Sequence, residues 1–192
     1  MGLRAYKSLT AAEYLQIDDE SAEKYEFLNG EIVAMAGTSI NHNFIFMNLA
    51  WHLRNSLSES GCNVLGADIR VATPFFNSYM YPDVIIVCGE LERPENDNNT
   101  LMNPSVLIEI LSPSTRDKDM GEKLLKYLQI PSLQEYILVD SAATWCKMIS
   151  RNTNDNWKIT ESTGLSGTLQ IESLHLSVPL ADVYRNVVFD DK

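Results

Sequence analysis

Apolar and polar positions along this chain alternate in blocks that read in turn as helix, hairpin, helix and strands. Ser8 to Asp18 carries a short apolar pattern (Ala12, Tyr14, Leu15) suited to one small helix. Tyr25-Glu26-Phe27-Leu28 and Glu31-Ile32-Val33-Ala34-Met35 flank Asn29-Gly30, a dipeptide that favours the type I′ turn of a two-residue hairpin. Ser39 or Asn41 can cap a helix running to about Ser58. Its Ile45, Phe46, Leu49, Ala50, Leu53 and Leu57 fall on one side at about 100° per residue, with His42 in the same arc. Val64 to Thr73 predicts a strand, Pro74 to Tyr79 a loop, Val84 to Cys88 a buried strand, and the polar stretch Glu90 to Asn103 a surface loop.

The run Val106-Leu107-Ile108-Glu109-Ile110-Leu111 is apolar at every position but one. Such a run reads as a strand covered on both faces, which takes the Glu109 carboxylate out of water. A buried carboxylate either finds a partner or shifts its pKa until it neutralises. A metal ion, a basic side chain or a proton must therefore hold Glu109. Ser112-Pro113-Ser114-Thr115 stops the strand and caps a helix from about Arg116 to Gln129, which Pro131 ends. Glu135 to Asp140 is then a strand joined to the Glu109 strand through that helix, and a unit of this length implies parallel pairing. Thr144 to Ser150 and Trp157 to Glu161 predict a further hairpin, and Leu174 to Tyr184 a short extended piece with a helical turn. Together these elements predict an α/β fold: a mixed central β-sheet flanked by helices, with hairpins near both ends.

Composition narrows the function classes. A chain of 192 residues, 45% of them apolar, suits one domain over 1–192 with a sizeable core. Neither a signal peptide nor an apolar run of membrane-spanning length is evident, so a soluble cytoplasmic protein is expected. Cys62, Cys88 and Cys146 show no Cys-x-x-Cys spacing and are expected as reduced thiols. A net charge of −11 argues against a general nucleic-acid binder, but leaves room for a bound divalent cation or a groove of local positive charge.

Tyr81-Pro82-Asp83 immediately precedes the strand at Val84, which places Asp83 where a sheet meets its loop. A Pro-Asp pair alone reads as a turn. Beside Glu109 it gains meaning, because adjacent strands can bring the two carboxylates together and a divalent cation would hold both ionised. Magnesium prefers one or two carboxylates with water and phosphate completing its shell. On the following helix Met120, Leu124, Tyr127 and Leu128 form the inward stripe, with Lys123 at its edge and Lys118 and Lys126 pointing away. Lys123 reads either as a rim lysine or as the positive partner of Glu109. Asp68 and Arg70 share one face of the strand before Asp83 and are expected to line the same cleft or to serve structure. Glu26 reads equally as an edge-strand charge. His42 reads as a hydrogen-bonded helix-start histidine or as a contact to phosphate or metal-bound water.

Asp83, Glu109 and a lysine form the constellation of the PD-(D/E)XK nucleases. Tyr81 to Val84, Ile108 to Thr115, Asp119 to Leu124 and Glu135 to Asp140 resemble, in order, the motifs of the Uma family of bacterial "putative restriction endonucleases". Tyr25 to Glu31, the His42 helix and Leu174 to Val183 resemble its opening and close, so the resemblance spans nearly the whole chain. It implies a restriction-endonuclease-like fold and Mg2+-dependent hydrolysis of DNA, with Mn2+ able to substitute. Asp83, Glu109 and the Ile110 backbone carbonyl would be the metal ligands. The superfamily lysine lies two residues after the second carboxylate, where this chain has Leu111. The resemblance implies that Lys123, on the next helix, replaces it. Glu26 would be an accessory acid. DNA is the implied partner, bound weakly without metal, and a homodimer follows by analogy with enzymes that cut both strands. The competing expectation is a non-catalytic nuclease-like binding or assembly module.

Overall fold

The computed structural model describes residues 8–35 and 37–189. Helix α1 (Ala11–Glu20) starts at a capping box in which the Thr10 hydroxyl accepts the Glu13 N–H and the Glu13 carboxylate accepts the Thr10 N–H. Strands β1 (Tyr25–Leu28) and β2 (Glu31–Ala34) form the expected hairpin, with Asn29 and Gly30 both at positive φ. Helix α2 (Ile40–Ser56) is capped by Ser39, whose hydroxyl accepts the His42 N–H. The remaining strands are β3 (Cys62–Gly66), β4 (Arg70–Ala72), β5 (Ser78–Met80), β6 (Val84–Cys88), β7 (Thr100–Leu101), β8 (Val106–Leu111), β9 (Glu135–Asp140), β10 (Trp145–Arg151), β11 (Trp157–Thr163), β12 (Thr168–Ile171) and β13 (Leu176–Pro179). Helices α3 (Arg116–Met120) and α4 (Glu122–Tyr127) lie between β8 and β9, and α5 (Leu180–Val183) follows β13.

A six-stranded mixed sheet in the order β11-β10-β9-β8-β6-β3 forms the centre, and a five-stranded sheet in the order β2-β1-β5-β4-β7 stands beside it. Strands β8 and β9 pair in parallel, as their connection through a helical segment requires. Ile108 and Ile110 on β8 pack with Ile45, Leu49 and Leu53 of α2, while Leu107 and Leu111 face Tyr127, Ile130 and Leu133 on the opposite side. This coverage on both faces explains why β8 is buried along its whole length, and burial of each large aliphatic side chain contributes on the order of 1.5–3 kcal/mol. No helix among the described residues is long and apolar enough to cross a membrane.

Several expected boundaries shift. The Val64 to Thr73 segment divides, with β3 joining β6 in the central sheet and β4 joining β5 and β7 in the other. The loops expected at Pro74 to Tyr79 and Glu90 to Asn103 each contain a short strand, β5 and β7. The helix expected from Arg116 to Gln129 breaks at Gly121, whose ψ of −97° leaves the helical region. A side chain there would meet the Asp117 carbonyl at 2.8 Å, so glycine suits the break. Cys62 and Cys88 form a disulfide rather than remaining reduced, because the β3–β6 register sets them directly opposite each other. Cys146 is a buried free thiol.

Candidate active site

The segment Tyr81-Pro82-Asp83 carries the chain from the five-stranded sheet to the central one. The Tyr81 N–H donates to Glu26 Oε1 at 3.3 Å. Val84 pairs with Ile108, so Asp83 stands opposite Glu109. Asp83 Oδ2 accepts the Ile110 N–H at 2.7 Å, and His42 Nε2 lies 3.2 Å from each Asp83 oxygen. Extending the register by two places sets Ile110 against Pro82, which has no N–H to offer the Ile110 carbonyl. In an extended strand a residue's N–H and C=O point to the same edge, so that carbonyl is directed to the side where Asp83 sits.

Glu109 shares the parity of Leu107 and Leu111 and therefore faces α4. Its Oε1 lies 2.6 Å from Lys123 Nζ and accepts the Tyr127 hydroxyl at 3.1 Å. Among the described residues both of these contacts use Oε1. The Lys123 amine also lies 2.9 Å from Glu26 Oε1 and 3.3 Å from Asp119 Oδ1, four residues earlier across the Gly121 break. Lys118 Nζ reaches Glu26 Oε2 at 2.6 Å. Glu26, Glu109, Asp119 and Lys123 are each buried.

Burial alone would lower the Lys123 pKa, but Glu109, Glu26 and Asp119 outweigh it and hold the amine well above its ordinary value. For Glu109, burial dominates and raises the carboxyl well above its ordinary range. Lys123 opposes that shift, whereas Asp119, Asp83 and Glu26 add to it. Glu26 goes the other way, because Lys123 and Lys118 together overcome the burial penalty and lower it. One lysine shared by three carboxylates therefore leaves Glu109 incompletely compensated.

Asp83, Glu109, Ile110, Lys123, Glu26 and His42 line one cleft of about 200 Å³, together with Lys118, Asp119, Ser112, Ser114 and Thr115. Asp68 and Arg70 lie outside it. Asp68 pairs with Lys24, and buried Arg70 binds Asp18, Asp19 and Asp97, tying α1 to the five-stranded sheet. Glu26 is not a solvated edge charge, since its strand lies between β2 and β5 and its carboxylate is buried against two lysines. Lys118, expected to point away, enters the cleft because the break at Gly121 resets the helical phase. Lys126 stays at the surface, bonded to Asn29. Asp119 enters the expectations only within the Asp119 to Leu124 motif, with no role assigned, although its place four residues before Lys123 in the expected helix is a usable signal. The hydroxyls of Ser112, Ser114 and Thr115 enter the expectations only as a strand stop and helix cap, within the Ile108 to Thr115 motif.

Among the described residues no group of three or more His, Cys, Asp or Glu side chains is arranged to hold a metal ion. The donor set still suits magnesium, which binds one or two carboxylates and takes its other ligands from carbonyl, water or phosphate. The cleft sets four carboxylates, Glu26, Asp83, Glu109 and Asp119, against two lysines, a deficit that one divalent cation would balance.

In overall fold the protein resembles the crystal structure of a "putative nuclease belonging to DUF820" from Anabaena variabilis, with a TM-score of 0.78 at 17% identity over 94% of this chain and 99% of that one. An uncharacterized protein of Synechocystis, sll1609, is 34% identical over 170 residues, covering 88% of this chain and 96% of the relative. A second Synechocystis protein, slr1290, is 32% identical over 184 residues, covering 96% and 95%. Residues 11–181 match the Uma2 family model, described as "putative restriction endonuclease", and the chain belongs to that family.

Proposed function

We propose that the cleft hydrolyses DNA phosphodiester bonds in a reaction that needs a divalent cation, Mg2+ or in its place Mn2+. The observation that carries this reading is the convergence of Asp83 and Glu109 from adjacent strands in a cleft short of positive charge, with Lys123 fixed against Glu109. Asp83, Glu109 and the Ile110 carbonyl are the groups that would hold the cation. A cation bound there supplies a Lewis acid that lowers the pKa of water and offsets charge on the phosphate.

The chain's own residues have separable roles. His42 and the Ile110 N–H orient Asp83. Lys123 is held against Glu109, Glu26 and Asp119, which favour its charged form. It serves as a fixed positive charge for the anion that develops as water attacks phosphorus and the ester P–O bond breaks. The hydroxyls of Ser112, Ser114 and Thr115, with Lys118, offer donors to phosphate oxygens along the same wall. A chain of net charge −11 binds DNA weakly until the cation is present.

The second reading is a nuclease-like scaffold that does not catalyse. The observation favouring it is that Lys123 already neutralises part of the carboxylate cluster without any metal. Thermal unfolding with and without Mg2+ or Mn2+ separates the two. The enzyme reading expects a cation-dependent rise in melting temperature that disappears in Asp83→Ala, because ligands that bind only the folded state stabilise it. The scaffold reading expects none.

A further inference from the structure

Helix α2 is apolar on two opposite sides. His42, Ile45, Leu49 and Leu53 face the core. At about 100° per residue, Ile40, Phe44, Met47 and Trp51 fall within an arc of about 60° on the other side. They are 77%, 37%, 56% and 63% exposed. Their spacing of four, three and four residues is that of the seam between two paired helices. Asn43, Arg54 and Asn55 border the stripe.

We propose that this stripe is the seam of a homodimer, in which two copies of α2 pack antiparallel about a two-fold axis. Charge selects the partner. The chain carries 26 Asp and Glu residues, yet none lies within Ile40 to Ser56. Two copies of net charge −11 can therefore meet on this face without opposing carboxylates. A polyanion would gain only Arg54 from the same helix, and a basic partner would find no acid there. Area points the same way. At roughly 200 Å² per large side chain, the four exposed fractions amount to about 500 Å² per copy. That is about 1,000 Å² for the pair before the bordering Asn43, Arg54 and Asn55 are counted, the size a specific interface must clear. An isologous contact requires a self-complementary surface, and an uncharged stripe of mixed large side chains is one. The seam stands whether or not the cleft cuts DNA.

Light scattering on the full chain at about 1–100 µM, spanning the weaker end expected for an interface of this size, tests the proposal. The wild type should show twice the 21.6 kDa chain mass, and Met47→Glu/Trp51→Glu should show a single chain with an unchanged circular dichroism spectrum. Should that variant fail to fold, Met47→Cys supplies the second arm. Lying near the middle of the stripe, it should form a covalent pair on mild oxidation, whereas Leu125→Cys on the distant and exposed face of α4 should not. A wild type of single-chain mass throughout, a pair that persists in the folded double variant, or no cross-link from Met47→Cys would each overturn the seam. So would a variant whose mass is unchanged but whose binding to DNA or to lipid vesicles is lost.

Discussion

Replacing Lys123 with alanine should reveal how tightly this site couples stability to chemistry. The substitution removes the one amine that touches Glu109, Glu26 and Asp119 together. Glu26 keeps Lys118 at 2.6 Å, but Glu109 is left with the Tyr127 hydroxyl alone among the described contacts. Breaking a buried ion pair by deleting one partner costs about 3–5 kcal/mol. At about 2–4 °C per kcal/mol for a chain of this size, the melting temperature should fall by about 6–20 °C. Activity should fall by a factor of about 10² or more, as for loss of a charge aimed at the transition state. Lys126→Ala, which removes a surface contact to Asn29, should leave both nearly unchanged. Urea denaturation and plasmid nicking with the three proteins read the two quantities separately. The coupling is checked by adding Glu109→Gln to Lys123→Ala, which removes the stranded charge and should recover part of the lost stability without restoring activity. Equal activity loss in Lys123→Ala and Lys126→Ala, or strictly additive destabilisation in the double variant, would refute the reasoning.

Other outcomes follow from the same contacts. Glu26 has a depressed folded pKa, so its contribution is present above its ordinary value of 4.5 and is lost as pH falls through the folded value; Glu26→Gln should therefore flatten the acid limb of a stability–pH curve below pH 4.5, and an unchanged limb would contradict the pairing. Burial pushes the Cys146 thiol up to about 11, so native protein should show no thiol reactive to Ellman's reagent, denatured protein one, and reduced denatured protein three; two or more reactive thiols in the native, unreduced state would contradict the Cys62–Cys88 bond. Arg70→Ala should cost about 3–5 kcal/mol by stranding buried Asp18, yet leave activity per folded molecule intact, and a selective loss of activity would place Arg70 in the site after all.

The elements that carry the candidate site were the most legible in the sequence. A lone glutamate in a six-residue apolar run announces its burial, and an amphipathic segment after it limits which lysine can reach back. What the pattern could not show is where a helix loses phase. Gly121 breaks the expected helix, and with a single period carried across it Lys118 is assigned to solvent. The split of Val64 to Thr73 was hidden for a related reason, since both pieces are apolar and only tertiary pairing tells which sheet receives each. The same holds for Cys62 and Cys88, 26 positions apart, which meet only through the β3–β6 register. Arg70 and Asp68 share a strand face by parity, but the chain crosses between sheets before Asp83 and carries them away from the cleft. The outer stripe of α2 is open to the same periodicity argument as the inner one, but one apolar face already accounts for folding.

Cleavage by the carboxylate variants tests the central claim most directly. Wild type, Asp83→Asn and Glu109→Gln, each verified as folded by circular dichroism, would be incubated with supercoiled plasmid in Mn2+, in Mg2+ and in EDTA. The account predicts nicking by the wild type with either cation, none in EDTA and none above background by either variant. Equal nicking by Glu109→Gln and the wild type, or wild-type nicking that persists in EDTA, would contradict it.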